Sequence, residues 1–191
     1  MTFQAFIALC ARAWSLPLLA LISAGTPART VPLAAAANAS RAAVSASLER
    51  LLVLGLVQTN AGHGHPLRPA VQLSSIGETV ALGATQLLAL ARDDTDRQLL
   101  RRAWTLPLLA AIDSPTAFGE LRRRLTPITD RALSQALKTL VKQQWITRQW
   151  PASENGRAAL YVCTDSGAEL RATLLPWVSL PRRSTPPPQR D

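Results

Sequence analysis

The sequence predicts a mainly α-helical protein with small β-hairpins, built as two successive units of one design. Three observations predict it. Apolar residues, chiefly Leu and Ala, make up 48% of the 191 residues and aromatics only 5%, a balance that suits helices packed through Leu and Ala better than a large β-sandwich. A segment near the start returns ninety positions later: Cys10 to Gly25 reads CARAWSLPLLALISAG, and Leu100 to Pro115 reads LRRAWTLPLLAAIDSP. The net charge of +9 is lopsided, with 6 basic against 4 acidic residues up to Thr95 and 15 against 8 from Asp96 onward. Such a field attracts polyanions, and DNA, RNA and anionic membranes all respond to it.

The repeat continues beyond its first segment. Ser45, Leu48, Leu51 and Gly55-Leu56-Val57 answer Ser134, Leu137, Leu140 and Gln144-Trp145-Ile146, and Val71 to Gly77 answers Tyr161 to Gly167, at an offset of 89 or 90. The apolar stretch from Ser15 has the look of a secretory signal, but its copy lies deep inside the chain, so the first copy is expected to be a folded helix. No stretch is long and apolar enough to span a bilayer. The expected organisation is a first unit over 1–93, a second over 94–180, and a disordered Pro-rich, charged tail over 181–191. Cys10 and Cys163 make no metal-ligand or disulfide spacing, which suits a reducing cytoplasm.

Each unit reads as the same string of elements. Ser15 and Thr105 stand two residues before Pro17 and Pro107, the pattern of an N-cap with proline in the first helical turn. In the second unit Ser114-Pro115 opens a second helix by the same logic, with Phe118, Leu121 and Leu125 as its stripe, and Thr126-Pro127 ends it. Thr129-Asp130 caps a third helix carrying Leu133, Leu137, Leu140 and Val141. Trp145 to Trp150 and Leu160 to Thr164 then read as a two-stranded hairpin, and Asp165-Ser-Gly leads into a closing helix through Leu170, Leu174 and Leu175. Three helices, a hairpin and a last helix make a winged helix-turn-helix, so the fold expected is two such domains in tandem.

The run FGELRRRLTPITDRALSQALKTL, followed by a hairpin ending in Y-x-x-T-x-x-G, resembles the HxlR-type bacterial regulators, relatives of the MarR type, from Trp104 to about Trp177. Gln144-Trp145 stands where that family usually has Gly-Leu, and its members usually carry one unit per chain and work as homodimers. The resemblance implies a sequence-specific, double-stranded-DNA-binding transcription regulator.

In a helix-turn-helix the second helix of the pair enters the major groove. On that helix Arg131, Gln135, Lys138 and Lys142 fall opposite the leucines, as one polar face. Arg131 and Gln135 suit bidentate base contacts, Ser134 either base or phosphate, and Lys138 and Lys142 phosphate, with Thr129 at the helix start counted among the contacts. Arg122, Arg123 and Arg124 on the preceding helix, with Arg148 and Arg157 in the wing, would extend the phosphate footprint. The bland reading of each charge run is a solvated face.

At an offset of 89 the same face in the first unit is Ala42, Ala46, Glu49 and Val53, and only Arg41, Ser45, Arg50 and Arg68 remain as secondary candidates. The first unit is therefore expected to be a degenerate copy serving as an internal partner, an intramolecular pseudo-dimer that either suffices or pairs again as a homodimer. His63 and His65 on a Gly/Pro loop lack a third ligand, so no metal is expected, and Cys163 reads as a small buried side chain. No cofactor motif or catalytic constellation occurs, which argues against an enzyme. Nothing marks an effector. The alternative class is a winged-helix protein-interaction scaffold.

Overall fold

The computed structural model describes residues 1–59, 70–150 and 158–179. The chain runs α1 (Phe3–Cys10), α2 (Ser15–Ser23), α3 (Thr30–Ala37), α4 (Arg41–Val53), β1 (Val57–Thr59), β2 (Val71–Leu73) and α5 (Ser75–Ala89). It continues through α6 (Asp94–Leu100), α7 (Thr105–Ala111), β3 (Thr116–Ala117), α8 (Phe118–Arg124), α9 (Asp130–Lys142), β4 (Ile146–Gln149), β5 (Leu160–Cys163) and α10 (Asp165–Leu174). It is mainly helical with two small antiparallel sheets, β1-β2 and β3-β5-β4.

The capping signal at Thr129 holds, and three caps not read from the sequence share its geometry. Ser40, Ser74, Thr129 and Thr164 each have extended backbone and accept from the amide three residues on, in the last two cases Ala132 at 3.2 Å and Gly167 at 3.3 Å. Ser15 and Thr105 do not cap. Each is the buried first residue of its helix, with Trp14 or Trp104 at the cap position and no side-chain cap bond. The chain arrives there from a preceding helical turn, and the amides of Ser15 and Thr105 already donate to Arg12 and Arg102 carbonyls at 3.1 and 3.2 Å.

Ser114-Pro115 likewise opens no helix. Thr116 and Ala117 pair instead with Tyr161 and Leu160 of β5, so the second-half sheet has three strands, and α8 begins at Phe118 without a side-chain cap. The carbonyl of Ser114 is taken by the Thr116 hydroxyl at 2.6 Å, which holds the bend leading into the strand. Val141 and Leu175, expected in apolar stripes, are turned partly outward, 38% and 41% exposed.

The order helix, helix, helix, hairpin, helix occurs in both halves, and the local geometry behind each hairpin matches closely. Gly55 after α4 and Gln144 after α9 have φ of +66° and +60°. Their carbonyls accept from the Ser74 and Thr164 hydroxyls at 2.6 and 2.7 Å. The amides of Ser74 and Thr164 in turn donate to Leu56 and Trp145 carbonyls, both at 3.1 Å. Left-handed backbone is unfavourable for a residue with a Cβ by about 1–2 kcal/mol. Gln144→Gly should therefore stabilise the protein by about 1 kcal/mol, less what glycine loses in unfolded-chain entropy. A raised urea midpoint at unchanged m-value would register it.

The core runs through both halves as one cluster. Phe6 of α1, fully buried, meets the indole of Trp177 edge-on with centroids 5.4 Å apart. Gly83 of α5 leaves room for that indole: a Cβ there would lie 2.2 Å from its Nε1. The first residues are tied to the segment after α10 by Met1 N donating to the Trp177 carbonyl and Ser179 N to the Met1 carbonyl, each at 2.9 Å. Contacts of α1 with α7 and of α5 with α10 complete the junction. No single helix among the described residues is long and apolar enough to cross a membrane.

Candidate nucleic-acid interface

The candidate interface is built on α8, the turn after it, and α9. Leu121, Leu125 and Ile128 bury the inner side of α8 and the turn, which includes the cis Thr126-Pro127 bond. Leu133, Leu137 and Leu140 are buried along α9, a spacing that commits one side of that helix to the core. The opposite side is open. Arg131, Gln135, Lys138 and Lys142 are all exposed, Ser134 is half-buried, and Thr129 is exposed at the cap. Arg131, Lys138 and Lys142 have no acidic partner among the described residues, so three positive charges on this face are left uncompensated.

The three arginines of α8 divide. Arg122 and Arg123 are exposed, and each meets a carboxylate, Asp130 and Glu120 respectively. Exposed pairs of this kind are weak, so both side chains can be drawn to a phosphate. Arg124 departs from the expected row of three phosphate contacts. Its side chain is 8% exposed, with Nη1 2.9 Å from Asp113 and 2.8 Å from the Ala111 carbonyl, and Nε 2.8 Å from Glu120. Burial works against its charge, but the bonds to Asp113 and Glu120 outweigh that and hold the guanidinium above its ordinary value. Arg124 ties α8 to the end of α7 and is turned away from the exposed face that Arg122 and Arg123 share.

In the wing, Arg148 is exposed on β4 with its guanidinium 4.7 Å from the ring of Trp150, itself 63% exposed. Arg157 and Arg68, like His63 and His65, lie outside the described residues. Cys163 is half-buried with Sγ 3.7 Å from the Ile112 carbonyl, and burial pushes its thiol up to about 11 against the opposing charge of Arg171. Burial also raises the Cys10 thiol. A sensor cysteine needs a lowered value, and neither thiol has one.

Sequence reasoning missed the support at the far end of α9. Gln143, its C-cap, donates from Nε2 to Asp96 of α6 at 2.6 Å, and Asp96 also receives the backbone amide and side chain of Arg92 at 3.0, 2.7 and 3.1 Å. Asp96 is fully buried, and the hydrogen bond from Arg92 holds its carboxyl below the usual range despite burial. The charged run around it falls where the sequence places the boundary between the two units, and a contact 47 residues away leaves no local signal.

Residues 99–182 match the HxlR-like helix-turn-helix family. The HxlR-like segment takes in the end of α6 and everything from α7 to α10, and so contains α8, the turn and α9. No curated protein and no solved structure matches the chain.

The first half offers a different surface at the corresponding place. On α4, Ala42 and Glu49 are exposed, Ala46 is half-buried, and Val53 is 77% exposed. Arg41 is exposed, Arg50 is half-buried, and the Ser45 hydroxyl is 3.4 Å from Glu49.

Proposed function

We propose that this protein is a transcription regulator of double-stranded DNA. In this reading α9 lies in the major groove, the wing of β4 and β5 follows the backbone, and the chain is two winged helix-turn-helix units in tandem. The observation that carries it is the free, uncompensated row of Arg131, Lys138 and Lys142 with Gln135 on the second helix of a helix-turn-helix pair. Arg131 and Gln135, nearer the N-terminus of α9, read base edges; Lys138 and Lys142 bind phosphate, joined by Arg122, Arg123 and Arg148.

The first unit acts as an internal partner. Its helices α1 and α5 pack on α7 and α10 of the second unit in one continuous core, while its own helix α4 lacks the cationic row. One chain thus imitates a homodimer with a single reading head. Footprinting tests this, since one protected half-site per chain is expected and two equal ones would refute it.

The substitutions expected to separate reading from holding are specific. Arg131→Ala or Gln135→Ala should reduce discrimination against non-cognate duplexes by about 1–3 kcal/mol. Lys142→Ala should weaken all duplexes alike and lower the salt slope by about 1. Equal effects of all three on cognate and random DNA would contradict the assignment. The outward-facing Val53 and Val31 of the first half favour a second reading, a protein-docking scaffold. Absence of gel retardation at low salt would select it.

A further inference from the structure

Between the two halves, α2, the end of α3, α5 and α6 surround a cavity of about 600 Å³, within the usual range of small-molecule sites. Its walls differ in chemistry. Trp14, Pro17, Leu21 and Leu88 make an apolar side, and α6 with the residue after it faces them with Asp94, Arg97, Gln98 and Arg101. The charge of Arg97 is met by Asp94 at 2.8 Å. Arg101 has no carboxylate partner among the described residues, and its guanidinium lies 4.4 Å from the centroid of the Trp14 ring.

We infer that this cavity binds a small molecule with a flat apolar body and one anionic group, and that its occupancy is felt at α9. The apolar body lies against Trp14, Leu21 and Leu88, and the anion meets Arg101. A neutral ligand leaves that guanidinium without a counter-charge, and a strongly polar one leaves the Leu21 and Leu88 side without contact. Transmission follows from the two sides of α6. Arg97 and Gln98 line the cavity, whereas Asp96 between Asp94 and Arg97 is buried and accepts from Gln143 at the end of α9. A ligand that favours one position of α6 therefore acts on the seat of α9. The binding site stands apart from the DNA reading, and only the coupling rests on it.

Calorimetry on the full chain without DNA, using 1-naphthoate and its neutral counterpart 1-naphthalenemethanol, tests the site. Naphthoate is expected to bind one per chain, and both the alcohol with the wild type and naphthoate with Arg101→Gln to bind at least tenfold more weakly. Thr85→Trp, placing a large side chain at an exposed lining position, should abolish binding with the melting temperature retained. No binding of naphthoate, or equal binding by Arg101→Gln, overturns the site. The coupling is read from retardation of a labelled duplex at low salt. Saturating naphthoate should change the duplex affinity at least threefold in the wild type and leave it unchanged in Gln143→Ala, which still binds naphthoate. An unchanged wild-type affinity overturns the coupling. A wild-type chain that retards no duplex refutes the DNA reading and the coupling together, while calorimetry still decides the site.

Discussion

Gly167→Ala is expected to destabilise the protein by about 3 kcal/mol or more, among the largest effects of a single added methyl group at the described glycines. A Cβ at position 167 would stand 1.8 Å from the Trp145 carbonyl oxygen and 2.9 Å from its carbon, and both belong to backbone that cannot swing away. Relief requires moving α10 off the strand, which breaks the 3.1 Å bond from the Thr164 amide to that same carbonyl and unseats the Thr164 cap. At roughly 2–4 °C per kcal/mol for a protein of this size, the melting temperature should fall by about 6–12 °C. Gly77→Ala faces the Leu56 carbonyl at the same 1.8 Å and should cost as much. The control is Gly119→Ala on α8, where nothing lies within 4 Å of the added methyl and alanine's helix preference should make the change neutral or stabilising by about 0.5–1 kcal/mol. If Gly119→Ala and Gly167→Ala melt alike, the close approach of α10 to the strand is not what holds the wing.

Physical range separates the parts of this molecule that the sequence reveals from those it hides. The cap at Thr129 and the inward Leu133, Leu137 and Leu140 are legible because both depend on residues within one or two turns of each other. Ser15 and Thr105 mislead because a cap is defined by the backbone entering the helix, and the turn before each one already occupies its amide. The strand at Thr116 and Ala117 exists only through pairing with β5, more than forty residues on, and two residues carry no periodicity. Arg124 was within reach of sequence reasoning. Three consecutive helical residues fan over about 200° at 3.6 residues per turn, so a row of three arginines cannot share one face. With Leu121 three positions earlier and Leu125 next in line, Arg124 is the one that must turn inward, as it does. The cationic face of α9 shows in the sequence for the same reason its leucines do. The junction through Phe6, Gly83 and Trp177, and the tie between Asp96 and Gln143, are long-range and do not.

Reversing two charges on α9, Lys138→Glu with Lys142→Glu, should lower affinity for any duplex by about a hundredfold at moderate salt, with the slope of log K against log salt smaller by about 2. Both side chains are exposed and free of acidic partners among the described residues, so their replacement removes two phosphate contacts and sets two carboxylates against the backbone. Such a change also weakens the general field of the protein, and a control must remove that contribution. Arg41→Glu with Arg50→Glu on α4 supplies it, because each pair of reversals takes the net charge from +9 to +5. Long-range attraction therefore falls equally in both variants, and the difference between them reports local contact alone. Since the row on α4 is Ala42, Ala46, Glu49 and Val53, the first-half variant should lose no more than about threefold, the share of the general field. Equal losses in the two variants would mean that both halves touch DNA and that the chain has two reading heads. A loss in neither would remove α9 from the groove.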